Sequence, residues 1–314
     1  MSCLISGSLA YDTISDYPGR FADHILPDRI HRLNVAFDIP TLRREFGGCA
    51  GNIAYTLRML GGEPIVLGVL GRDGSDYEAR LDALGISRAH LRVSRELHTA
   101  QAHIMTDRDN NQITGFHPGA MLEAHLQPVP ALPGLALGIV APNARQAMLD
   151  HAAQMAAAGL PFILDPGQAL PLFDADDLRV LVAQASWAVL NDYEAAMLLQ
   201  RIGGDADALA AQLRGLVVTR GAEGCEVYAQ GRVTQVPALP ATAVVDPTGC
   251  GDAFRGALLW ALERGWSLLD SCRLGNVLGA CKIACAGPQN HIITADAALA
   301  AMRLAYGAAE SVSG

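Results

Sequence analysis

The amino-acid sequence predicts a doubly wound α/β fold, a mostly parallel sheet with helices on both faces. Three observations carry this reading. Apolar runs of strand length alternate with longer helical patterns along most of the chain. With 314 residues, of which 51% are hydrophobic and 18% charged, the chain can bury one large core. Several of the apolar runs also end in polar residues that a packed sheet does not require, and in such sheets ligands collect at the carboxyl ends of the strands.

The first strand is read at residues 4–9, followed by a helix at 53–60 and a second strand at 64–70. Further strands fall at 137–141, 161–165, 188–191 and 216–219, with helical patterns at 145–158, 175–185 and 194–201 between them. Crossover helices between parallel strands cover both faces of a sheet, so near-continuous apolar runs are what these strands need. A hairpin is expected over 225–236, a helix after Gly251, and Ala- and Leu-rich helices over 265–287 and 295–306. Two segments break the alternation, residues 11–45 and about 99–116, the second around the turn-forming Asp109, Asn110 and Asn111. Residues 1–314 are read as a single domain.

Composition excludes several classes of function. A net charge of −9 with no basic run argues against nucleic acid as the partner and favours a small molecule. No apolar run reaches the ~18 residues of a membrane span and no signal-peptide pattern opens the chain, so a cytoplasmic protein without membrane contact is expected. The seven cysteines contain no Cys-x-x-Cys pair and the nine histidines fall in no metal-ligand spacing, so neither a disulfide framework nor a structural metal is expected. Lys282 is the only lysine and is not preceded by a G-x-x-x-x-G-K-[ST] loop, which excludes a Walker-type ATPase.

The most informative segment is Asp246-Pro247-Thr248-Gly249-Cys250-Gly251-Asp252, followed by an apolar helical run. Gly249 and Gly251 let consecutive amides converge at a helix entrance, where the dipole favours an anion. Asp252 in that first turn is placed to take a proton from an attacking hydroxyl while the amides of Gly249, Cys250 and Gly251 hold phosphoryl oxygens. As residue types alone, the segment reads equally well as a turn with a capping aspartate. A second block, Gly47-Gly48-Cys49-Ala50-Gly51-Asn52, combines glycines that permit close approach with an Asn that both donates and accepts, which suits a polyhydroxyl ligand.

Together these blocks resemble the D-x-T-G-A-G-D and Gly-Gly…Asn signatures of the ribokinase-like (PfkB) sugar and nucleoside kinases, with Cys250 in place of the commoner Ala. The resemblance implies a small β-sheet lid over the substrate, formed by the insertions 11–45 and 99–116. It implies ATP as phosphoryl donor and Mg2+ held through water by Asn191 and Glu194, and it leaves room for K+. Thr219, Arg220, Gly221 and Gly224 then meet the nucleotide, as does Gly287 in a loop closing over its base, where Pro288 departs from the usual Ala. Ser8, Asp12, Gly47, Gly48 and Asn52 bind the acceptor. Along its length the chain is similar to the bacterial adenosine kinases of this family, in which Phe116 stacks on a purine and Gln168 reaches the ligand. Ala102 departs from that pattern, where a second aromatic is expected. The implied reaction is phosphorylation of a nucleoside 5′-hydroxyl, adenosine first. A sugar kinase or a nucleoside-binding sensor without turnover are the alternatives, and a homodimer through the lid is compatible with the resemblance.

Overall fold

Strand β1 (Ser2–Ser6) shows how the chain divides its apolar residues, with Cys3 and Ile5 in one buried cluster and Leu4 in another. The same two-residue period recurs at Ile139 and Val140 in β8 (Leu135–Val140), at Val189 and Leu190 in β10 (Trp187–Asn191), and at Val217 and Val218 in β11 (Gly215–Thr219). Successive side chains of a strand point to opposite faces, so a sheet built from such runs must be covered on both. Helices α1 (Cys49–Met59), α2 (Ser75–Ala83), α7 (Cys250–Glu263), α8 (Leu268–Ile283) and α9 (Ala295–Tyr306) close one core, and α3 (Arg145–Ala157), α4 (Ala175–Gln184), α5 (Asp192–Ile202) and α6 (Ala206–Ala210) the other.

The computed structural model describes residues 1–25, 32, 34–109 and 111–307. Its main sheet has nine strands in the order β13 (Arg232–Val236), β12 (Cys225–Ala229), β11, β10, β9 (Phe162–Leu164), β8, β1, β4 (Glu63–Leu70) and β5 (Leu91–Val93). From β11 to β5 all neighbours are parallel; β12 and β13 form the antiparallel hairpin at one edge. The first helix starts at Cys49, earlier than its periodicity suggests, because Gly48 at φ 82° turns the chain directly into it. Helix α2 was not expected: only Tyr77 and Leu81 of its nine residues are buried, too few to mark a helical period.

The two insertions form a separate four-stranded sheet in the order β3 (Thr41–Gly47), β2 (Ala10–Asp16), β6 (Ala100–Thr106) and β7 (Gln112–His117). Residues 26–31 and 33 of the first insertion, and Asn110 of the second, lie outside the described residues. Its register aligns Glu45, Asp12, Ala102 and Phe116 directly across the four strands, which places their side chains on one face. No helix among the described residues is long and apolar enough to cross a membrane.

Candidate active site

Helix α7 begins where the sequence placed a helix entrance, and its N-cap, Gly249, adopts a left-handed conformation (φ 80°, ψ 5°). A β-carbon there would be strained and would lie 2.7 Å from Cβ of Pro288, so both backbone and neighbour call for glycine. Among the described residues the amides of Gly249, Gly251 and Asp252 meet no acceptor, whereas that of Cys250 donates to the Pro247 carbonyl at 3.2 Å. Of the expected set of Gly249, Cys250 and Gly251, the tight turn that opens the helix takes up the Cys250 amide, and the Asp252 amide stands unbonded beside the other two. Unpaired amides at a helix N-terminus are the ordinary structural basis of an anion site.

Asp252 sits in this first turn, and its Oδ2 accepts a hydrogen bond from Nδ2 of Asn52 at 2.8 Å. Burial raises its pKa above that of a free carboxyl, opposed by the Asn52 bond and the charge of Arg255. A more basic carboxylate is better matched to accepting a hydroxyl proton near neutral pH. Asn52 is braced in turn: Gln289 Nε2 donates to its Oδ1 at 3.1 Å and to the hydroxyl of Tyr77 at 2.9 Å, and Tyr77 donates to the Gly47 carbonyl at 2.6 Å. Gln289 and Tyr77 thus support the site although neither was identified from the sequence for this role. Gln289 lay in the loop expected over the nucleotide base.

On the lid, Asp12 is buried and lies over Gly47, where any β-carbon would fall 2.3 Å from its Oδ2. Burial, with the carboxylates of Asp252, Asp246 and Glu45, raises its pKa from 3.8 to about 7. Asp12, Asp252 and Asp246 are therefore electrostatic neighbours although they are far apart in sequence. Ser8 accepts from the amide of Cys49 at 3.1 Å and caps the start of α1. Phe116 is 51% exposed on the same lid face as Asp12. Gln168, on the turn after β9, is exposed and has no hydrogen-bonding partner among the described residues.

Beneath the helix entrance, Arg255 is buried against Asp165, with Nη2 2.8 Å from Oδ1 and Nε 2.5 Å from Oδ2, and its Nη1 donates to the Gly251 carbonyl at 3.1 Å. Burial disfavours the Arg255 charge, but Asp165, Glu194 and Asp252 outweigh it and hold the guanidinium protonated. Asp246 anchors the preceding turn. Its carboxylate accepts from the amides of Thr248 and Gly287, both at 2.9 Å, and pairs with Arg43 of the lid at 3.5 Å. Arg255 and Arg43 escaped the sequence reading because an isolated arginine carries no spacing signal.

The fold, with its small separate sheet, agrees with what the chain resembles elsewhere. The profile of the pfkB family carbohydrate kinases matches residues 16–295. The chain belongs to the pfkB family. It is accordingly a phosphotransferase with an alcohol group as acceptor. Among solved structures, the nucleoside kinase of Burkholderia thailandensis in complex with inosine is 45% identical, with a TM-score of 0.91 over 98% of this chain and 99% of that one. The same kinase in complex with ADP and inosine superposes with a TM-score of 0.89 at 45% identity over 99% of this chain and 100% of that one. The nucleoside kinase of Methanocaldococcus jannaschii is 30% identical over 267 residues, 84% of this chain and 87% of that protein.

Of the residues expected to meet the nucleotide, all but Gly287 lie at or just beyond the carboxyl ends of strands of this pfkB-family chain, with varied engagement. Asn191 and Glu194 form a reciprocal cap on α5, the Asn191 Oδ1 accepting from the Glu194 amide at 2.7 Å and the Glu194 Oε2 from the Asn191 amide at 2.8 Å. Glu194 nevertheless faces the site closely enough for its charge to act on Asp165, Asp252 and Arg255. Thr219 donates to the Leu190 carbonyl at 3.3 Å, and Gly221 and Gly224 bound a short turn before β12. Arg220, expected to be available for charge, is instead paired with Glu226 at 3.0 Å, because the hairpin brings that residue back beside it. Gly287 lies between the turn and the lid: its amide bonds Asp246, and a β-carbon on it would fall 2.8 Å from Glu45 Oε2.

Proposed function

We propose that the chain transfers the γ-phosphoryl group of ATP to the ribose 5′-hydroxyl of a purine nucleoside, with adenosine to AMP as the leading case. The observation that carries this reading is Asp252, held by Asn52 at 2.8 Å in a helix turn whose neighbouring amides are unbonded among the described residues. Asp252 takes the hydroxyl proton as O5′ bonds to the γ-phosphorus, the bond from that phosphorus to the bridging oxygen breaks, and ADP leaves. The amides of Gly249, Gly251 and Asp252 meet the charge on the transferred group. Asp12 accepts from the ribose hydroxyls and so orients the 5′-hydroxyl toward Asp252. Glu194, with a carboxylate oxygen left over from its cap, fits Mg2+ bound through water beside Asn191. The ion, when bound, neutralises charge on the donor phosphates.

Two relatives support a nucleoside acceptor by what they are named, and one of them was solved with inosine. Phe116 on the acceptor face of the lid supplies a flat apolar surface for a base. Its cross-strand neighbour is Ala102, so one wall of the base clamp lacks an aromatic and a wider range of nucleosides is accommodated. The test is ADP release with adenosine, inosine, ribose and fructose as acceptors. The nucleosides should be turned over far more efficiently than the free sugars, and Asp252→Asn should lower kcat by about 10²–10⁴ with little change in nucleoside binding. Preference for ribose or fructose moves the reading to a sugar kinase. Nucleoside binding without ADP release moves it to a sensor.

A further inference from the structure

The last turn of helix α8, behind the anion site, carries Lys282, which has no exposed surface. Its ammonium donates to the Asp246 carbonyl at 2.9 Å and to the Cys285 carbonyl at 3.0 Å. Taking a charge out of water costs several kcal/mol unless opposite charge or good hydrogen bonds compensate it. Here the direct partners are two backbone carbonyls from different segments, and no carboxylate among the described residues forms an ion pair with Lys282.

Asp246, whose carbonyl receives the ammonium, also fixes the Thr248 and Gly287 amides with its side chain. Two residues beyond Cys285 the same loop reaches Gly287, and next to it Pro288 packs on Gly249. Lys282 therefore pins together the two segments that shape the cradle. Its charge also reaches the cradle: it works against the burial that pushes the Cys250 thiol up to about 11, and it adds to the burial that lowers His291 to about 4.

A potassium ion at this place would need a cage of oxygen ligands, and the carbonyl oxygens that would begin one already hold the ammonium. The residues present do not fit K+ there. We propose that Lys282 is a built-in monovalent cation, a positioning residue that holds the Gly249–Asp252 turn and supplies fixed positive charge behind it, so that turnover does not depend on K+. This rests on the phosphotransfer reading above.

The test compares initial rates of the full-length protein in KCl and in tetramethylammonium chloride at equal ionic strength. Wild-type rates should be the same in both. Lys282→Met should lose kcat by about 10²-fold with little change in nucleoside KM, and KCl or ammonium chloride should restore part of it where tetramethylammonium does not. Lys282→Gln provides a second variant, and thermal melting establishes that each is folded. Stimulation of the wild type by K+, a folded variant with full activity, or a loss that no small cation restores would each overturn the proposal; the first of these decides it even if neither variant folds. Were the wild type to turn over no acceptor in any salt, the functional reading fails. Thermal melting would still decide the cation site, since K+ should stabilise Lys282→Met and not the wild type.

Discussion

At the scale of single residues, the site gathers acidic side chains whose charges act on one another. Asp12 is the clearest case, because burial and then the carboxylates of Asp252, Asp246 and Glu45 raise its pKa from 3.8 to about 7. Between those values the folded chain keeps the proton that the unfolded chain has released. The stabilisation this gives is complete below about pH 4 and is lost as the pH rises through about 7. At about 1.4 kcal/mol per pKa unit, its size is bounded by about 4 kcal/mol. Asp12→Asn imitates the protonated form. The unliganded variant should melt with wild type near about pH 4 and above it at about pH 8, while its nucleoside KM rises. A melting difference that does not change with pH would show that the carboxylates do not act on Asp12. The charged form of Asp12, which the proposed function needs for the ribose hydroxyls, is thus obtained at the expense of the fold's stability.

At the scale of elements, the lid and the α7 entrance differ in how much their sequences reveal. The entrance was legible because its requirements are local: a left-handed N-cap, a small neighbour and an acid in the first turn must be adjacent in the chain, so Gly249, Gly251 and Asp252 stand together. The parallel strands were legible because burial on both faces forces uninterrupted apolar runs. The contacts that brace the entrance were not: Asn52 was read as a site residue but not as the partner of Asp252, and Gln289, Tyr77 and Lys282 reach the entrance from the loop after α8, α2 and α8 itself, contacts that no spacing records. The ion pairs of Arg220 and Arg255 were unreadable for the same reason, one formed across a hairpin and the other buried under the helix. In the lid, register does what adjacency does at the entrance, aligning Glu45, Asp12, Ala102 and Phe116 over four strands. Phe116→Ala should therefore raise nucleoside KM by about fivefold, consistent with ~1 kcal/mol for an aromatic contact, and leave the fold and any activity on free sugars nearly unchanged. Equal effects on nucleosides and sugars would place the base elsewhere.

At the scale of the whole molecule, two cores clamp the main sheet while the smaller sheet projects from it on the strands that follow β1 and precede α1. The face of the lid opposite Asp12 carries Leu42 and Ile113, 72% and 46% exposed and aligned in one cross-strand row through Ser15 and Met105. Exposed apolar side chains gathered on one face favour association, and we propose that a homodimer forms through it. Light scattering should then give twice the chain mass, and Leu42→Asp should return it to the monomer; a monomeric wild type would reject the dimer. The chain of contacts from Asp252 through Asn52, Gln289 and Tyr77 to Gly47 has a wider consequence. Gly47 closes β3 at the root of the lid, so the base of the small sheet and the Asp252 carboxylate share one set of bonds. On the phosphotransfer reading proposed above, a nucleoside that drew the lid down would act on the Asp252 carboxylate through these same bonds, which water alone would leave untouched.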